Sequence, residues 1–265
     1  MLDEYIFDLT PVTDNNPFFF HFLKWNRMGE TYRLMGEKWQ LFLEGGYLLP
    51  VILFQALFAG IILIFLPLLF SRKIKLFSGK NISLFIYFLA LGLGFMFIEI
   101  ILIEKFILFL GHPSYSLSVI LFSVLLFSGM GSWVSEKFPS DKAGMKKSLV
   151  FILSTLICAL FLYTLYLNPF MKAFLGSELF ARVLLSALII APLAFLMGMP
   201  FPLGIKLTGL YDKEVIPISF AINGVFSVFG SILSMVLALC FGFQSVLLLS
   251  AFIYLAALLS VLKRD

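Results

Sequence analysis

Charge is scarce in this chain, where Asp, Glu, Lys and Arg make up 13% of 265 residues. Histidine occurs twice, at His21 and His112, and neither has a metal-ligating neighbour in sequence. Cysteine also occurs twice, and Cys158 and Cys240 both sit inside apolar runs. That placement reads as small buried hydrophobes rather than a disulfide or a metal pair. No Gly-rich loop joins a strand to a helix, and no nucleophile elbow is present. The chain therefore displays no reaction of its own, and no metal or cofactor is expected on it. The formal charge of +4 brings no basic patch interleaved with aromatics, which argues against a nucleic-acid partner. A cleavable signal peptide is not expected either, because acidic residues precede a first apolar segment that lies far from Met1.

What fills the chain instead is hydrocarbon. Hydrophobic residues are 61% of the total, 33 of them phenylalanine, and the mean hydropathy is +1.05. Phe is costly in water and comfortable in lipid, so its abundance reads as lipid-facing helices. A bilayer span needs about 20 mainly apolar residues at 1.5 Å rise each. Seven stretches qualify: Gly46–Phe70, Ile82–Ile103, Ser114–Val134, Ser148–Leu167, Leu179–Leu203, Ile216–Phe241 and Phe243–Leu262. The first runs from Gly46 to Phe70 without a charge. The expected fold is an all-α, polytopic bundle of about seven transmembrane helices spanning residues 46–265, with the lipid bilayer as its main partner.

Residues 1–45 form a separate polar segment, broken by Pro11 and Pro17. Asp3 to Leu9 has strand character, Thr13–Asp14–Asn15–Asn16–Pro17 reads as a turn, and Thr31 to Leu43 has the spacing of an interfacial helix. Short loops set orientation through their Lys and Arg. One side collects Arg72, Lys73, Lys75, Lys80, Lys137, Lys142, Lys146, Lys147, Lys206, Lys213, Lys263 and Arg264. The other holds Lys24, Arg27, Arg33, Lys38, Lys105, Lys172 and Arg182. Alone, this bias puts the C-terminus in the cytoplasm and the N-terminus outside.

Polar groups in the spans carry the candidate site. A charge inside a span costs at least about 2.5 kcal/mol on insertion scales, so each needs a reason. Glu99 lies in the second span on the face of Gly92, and is the first candidate for a ligand or proton site. Glu104 and His112 are candidates to assist it, although Glu104 lies roughly 140° round the helix from Glu99. The alternative is that Glu104 and Lys105 snorkel to the interface while Glu99 bonds a neighbouring helix. Asn223 heads a stripe with Ser227, Ser231 and Ser234, suited to helix packing or to a polar pathway. Pro200 and Pro202, in Gly198-Met-Pro-Phe-Pro-Leu-Gly204, read as a helix break that ends the fifth span or lines a binding site. Arg182 reads as an interfacial anchor.

Three segments also carry a resemblance. They are Gly92-Leu-Gly-Phe-Met-Phe-Ile-Glu99 continuing through Phe106-Ile-Leu-Phe-Leu-Gly-His-Pro113, Met197-Gly-Met-Pro-Phe-Pro-Leu-Gly204, and Ala221-Ile-Asn-Gly-Val-Phe-Ser-Val-Phe-Gly-Ser231. Together they resemble the C-terminal membrane block of bacterial membrane-bound spermidine synthase-like proteins. Thr13-Asp-Asn-Asn-Pro-Phe-Phe-Phe20 is similar to the stretch that links that block to its soluble domain, with Asn15 in place of an Asp. The resemblance implies a multi-pass chain of the inner (plasma) membrane, not catalytic alone. It also implies a soluble S-adenosylmethionine-dependent partner and a polyamine or other cationic small molecule as ligand. The positions of the cofactor loop and of the aminopropyltransferase acidic residue have no counterpart here. A cofactor-using domain at residue 1 would be cytoplasmic, opposite to the charge bias. An autonomous small-molecule or cation transporter and a purely structural membrane subunit are the other readings.

Overall fold

The computed structural model describes residues 11–17, 24, 27, 29, 30, 33, 51–60, 62 and 79–263. Regular structure among them is helical, apart from an isolated Thr13↔Asn16 bridge that closes the expected turn at Thr13–Pro17. The expected strand at Asp3–Leu9 lies outside the described residues. So do most of the interfacial helix at Thr31–Leu43 and of the first span, Gly46–Phe70.

Helix α1 is Val51–Gly60. The longer helices are α2 (Gly79–Leu110), α3 (Pro113–Ser135), α4 (Lys142–Phe174), α5 (Leu179–Gly198), α6 (Pro200–Tyr211), α7 (Ile216–Phe241) and α8 (Phe243–Leu262). With α5 and α6 taken as one bent span, six helices among the described residues are long and apolar enough to cross a bilayer. They overlap the last six expected stretches and run up to eight residues beyond their ends. This is the architecture of a multi-pass helical membrane protein.

Local chemistry sets the boundaries. Gly111 takes φ 82°, which a Cβ would disfavour, and ends α2. His112 then caps α3, its Nδ1 accepting from Ser114 N at 3.2 Å, with Pro113 at the first helical position. Asp141 caps α4 through Gly144 N at 3.0 Å. Gly242, at φ 80°, separates α7 from α8.

Helix α2 is the centre of the bundle, packed chiefly on α7 and α8, while α3 packs on α5 and α4 on α8. Its most apolar stretch is 61% buried, against 17–44% for the other spans. Phe88, Phe97, Phe106 and Phe109 are fully buried on it. The phenylalanines thus divide between core and lipid, since Phe54, Phe122, Phe151 and Phe180 are exposed. Cys158 and Cys240, expected among buried side chains, are exposed on α4 and α7.

Hydrogen bonds fix the two ends of the bundle. Ser83 Oγ donates to Ser260 O at 2.6 Å, and Lys146 Nζ to Leu262 O at 3.3 Å. The start of α2, the start of α4 and the end of α8 therefore share one end. At the other, Arg182 Nη1 donates to Phe109 O at 2.7 Å, and Lys105 Nζ to Asn168 Oδ1 at 2.5 Å. The N-terminal turn docks at this second end. Asn15 O accepts from Phe243 N at 2.9 Å, and Asn15 Oδ1 from Gln244 N at 2.8 Å.

Candidate functional site

A cavity of about 530 Å³ lies between α2, α3, the α5–α6 junction and α7. Leu91, Phe95 and Met96 line it from α2, Ser128 and Ser132 from α3, and Asn223 and Ser227 from α7. Tyr254 of α8 also borders it. Its rim includes Leu125, 60% exposed in the middle of α3, so the cavity opens sideways at the depth of the hydrocarbon.

Small residues bring the surrounding helices close together. A Cβ on Gly92 would come within 2.4 Å of the Asn223 carbonyl, and one on Gly198 within 2.0 Å of the Ser128 carbonyl. Backbones this close let α2 and α7, and α3 and α5, meet without intervening side chains. The α5–α6 junction supplies Met197, Gly198, Phe201 and Pro202 to the wall. Proline does not terminate the membrane segment here. Pro200 and Pro202 occupy the first turn of α6, where backbone N–H groups lack intrahelical acceptors anyway, so helix resumes at once. The expected end of the fifth span is thus a bend within it. Tyr87 Oη donates to Pro200 O at 2.7 Å and ties the bend to α2.

The candidate residues separate into two groups. Asn223 and Pro202 line the cavity, and Pro200 lies beside it. Glu99 is buried on α2, 6% exposed. It is roughly 40° round the helix from Phe95 and 80° from Leu91, on the face that lines the cavity and one turn further on. Its carboxyl makes no hydrogen bond or ion pair with a described residue. Glu104 and His112 belong elsewhere, at the end where the N-terminal turn docks. Glu104 is half-buried without a partner among the described residues, and exposed His112 serves as the α3 cap.

The polar stripe of α7 is mostly satisfied within its own helix. Ser227 Oγ donates to Asn223 O, Ser231 to Val228 O and Ser234 to Ser231 O. Only Asn223 crosses, donating Nδ2 to Phe88 O at 3.3 Å. Two elements escaped sequence reasoning. Tyr254 carried no signal, because a lone Tyr in an apolar span resembles an interface anchor. Lys105 does not snorkel: it is 4% exposed and turned inward onto Asn168. No group of His, Cys, Asp and Glu suited to a metal ion occurs among the described residues. No family model, curated protein or solved structure matches the chain.

Proposed function

We propose that the chain is the membrane block of a spermidine synthase-like assembly of the inner membrane. In this reading the cavity and Glu99 hold an amine ligand that a soluble S-adenosylmethionine-dependent partner acts on. The observation that carries the ligand assignment is Glu99, a buried carboxyl without a partner among the described residues, on the cavity face of α2. A carboxyl in the membrane interior is kept neutral by its own proton or balanced by a cation. Opposite charges attract strongly once desolvated, which suits an ammonium ligand. The apolar and aromatic walls suit the methylene portion of such a molecule.

The reading includes seven crossings. Its support is the placement of the two ends: residues 13–16 dock beside Gly242, whereas α2 begins at the opposite end beside Ser260. In this reading a further crossing between residues 17 and 79 connects them, and α1 is proposed for that role, with Gly60 packed on Val225 of α7.

One observation favours a second reading, an autonomous transporter: the bend at Pro200 and Pro202 forms a cavity wall, as broken helices do at transport sites. Equilibrium binding of labelled spermidine to the chain in nanodiscs tests the ligand. Glu99→Gln should weaken binding at least tenfold, about 1.4 kcal/mol, at equal membrane abundance. Wild-type affinity in that variant would reject the role given to Glu99. Co-purification of an S-adenosylmethionine-binding protein with the tagged chain supports the assembly. Its absence, together with gradient-driven spermidine uptake into proteoliposomes, favours the transporter.

A further inference from the structure

A second pocket, of about 240 Å³, opens at the end of the bundle where the N-terminal turn docks and shares no lining residue with the first cavity. Lys105, Asn168, Lys172 and Asp14 supply its polar wall, and Leu108, Met171 and Leu175 are among its apolar lining. Two of these, Leu108 at 49% and Leu175 at 51%, are exposed at the flank of the bundle.

Among the described residues the charges in this pocket do not balance. Lys172 stands in the last turn of α4, where the helix dipole favours a cation, and it pairs with Asp14 at 3.5 Å. Lys105 lies more than a turn before the end of α2, beyond the reach of that dipole effect. Its ammonium has three donors, and among the described residues the one hydrogen bond it makes is to the neutral amide of Asn168. Asp14, the carboxylate facing it, is already engaged by Lys172. Among the described residues of the wall two lysines thus share one carboxylate, leaving one positive charge where Lys105 is nearly buried. Arg182 stands next to the pocket, bonded to the carbonyl of Phe109, itself a lining residue. A buried ammonium without a full counter-charge is costly, and an anion supplied from outside removes the cost.

We propose that this pocket binds the monoanionic phosphate of a membrane lipid, with Lys105 and Lys172 on the phosphate and the acyl chains along Leu108 and Leu175. Position and polarity agree with this ligand. The pocket lies near the ends of α2 and α4, at headgroup depth, and its exposed apolar residues continue into the hydrocarbon flank. A phosphate group could also come from solution, and that source would not use the apolar flank.

The test is lipid binding by native mass spectrometry and thermal unfolding, with the chain in phosphatidylcholine nanodiscs with or without dioleoylphosphatidylglycerol. Phosphatidylglycerol is expected to co-purify and to raise the unfolding temperature. Lys105→Met should weaken its binding at least tenfold, and Lys105→Arg should restore it. Asp14→Asn, at an exposed position, should tighten binding, a gain that simple loss of fold does not produce. Equal behaviour in the two lipid compositions, or no response to either Lys105→Met or Asp14→Asn, would overturn the site. If inorganic phosphate in phosphatidylcholine nanodiscs reproduces the full stabilisation, the lipid assignment is overturned in favour of a soluble anion.

Discussion

Two tyrosines that look equivalent in the sequence do different jobs. Tyr87 spends its hydroxyl on Pro200 O, holding the bend of the fifth span against α2. Tyr254 is buried with its ring against Gly94, and its hydroxyl makes no hydrogen bond with a described residue. Tyr87→Phe should therefore cost about 1 kcal/mol of stability, the usual net worth of one such bond. Tyr254→Phe should leave the unfolding temperature unchanged while altering ligand binding in the cavity. Thermal unfolding of both variants in one nanodisc preparation decides the contrast. At this scale the sequence was informative where a residue contradicted its solvent. Glu99 stood out because carboxyls are rare in spans. Lys105 did not, since a lysine near a span end is normally at the interface, and its inward turn depends on Asn168, in a different helix.

Between helices, glycine decides how close two axes approach, and it does so position by position. Gly198 and Gly131 face backbone carbonyls of the opposite helix, Ser128 O and Phe195 O, each 2.0 Å from where a Cβ would stand. Gly224 has open space around it. Gly198→Val is expected to cost more than about 3 kcal/mol by driving α3 from α5, beyond ordinary overpacking. Gly224→Ala should be neutral or gain about 0.5–1 kcal/mol from restricted backbone freedom. Unfolding in detergent, read by circular dichroism, separates the two. A glycine in an apolar run does not announce which case it is, because the facing backbone belongs to a distant segment. The Pro200–Pro202 pair was legible as a break but not as a bend. Recovering the helix required seeing that both prolines fall in a first turn, where they remove no hydrogen bond.

Six of the expected spans were legible because apolar length alone defines them, although α2, α4 and the α5–α6 span run six to eight residues past the expected ends. The cavity was not legible as a whole, since its wall joins residues from six helices that no local pattern connects. The two ends of the bundle make a prediction for the intact protein. In a background of Cys158→Ser and Cys240→Ser, a cysteine at Val12 and one at Lys263 should react with an impermeant maleimide from opposite faces of a sealed vesicle. Both positions are exposed. Labelling from the same face would reject the additional crossing before α2.

The contact of Asn15 with the turn at Gly242 also has a consequence for biogenesis. The ribosome makes Asn15 early and the α7–α8 hairpin late, so the segment must wait through the synthesis of the intervening helices before its two acceptors find Phe243 N and Gln244 N. The clasp closes only after the α7–α8 hairpin has entered the membrane, which makes it a seal on the insertion of α2 to α8.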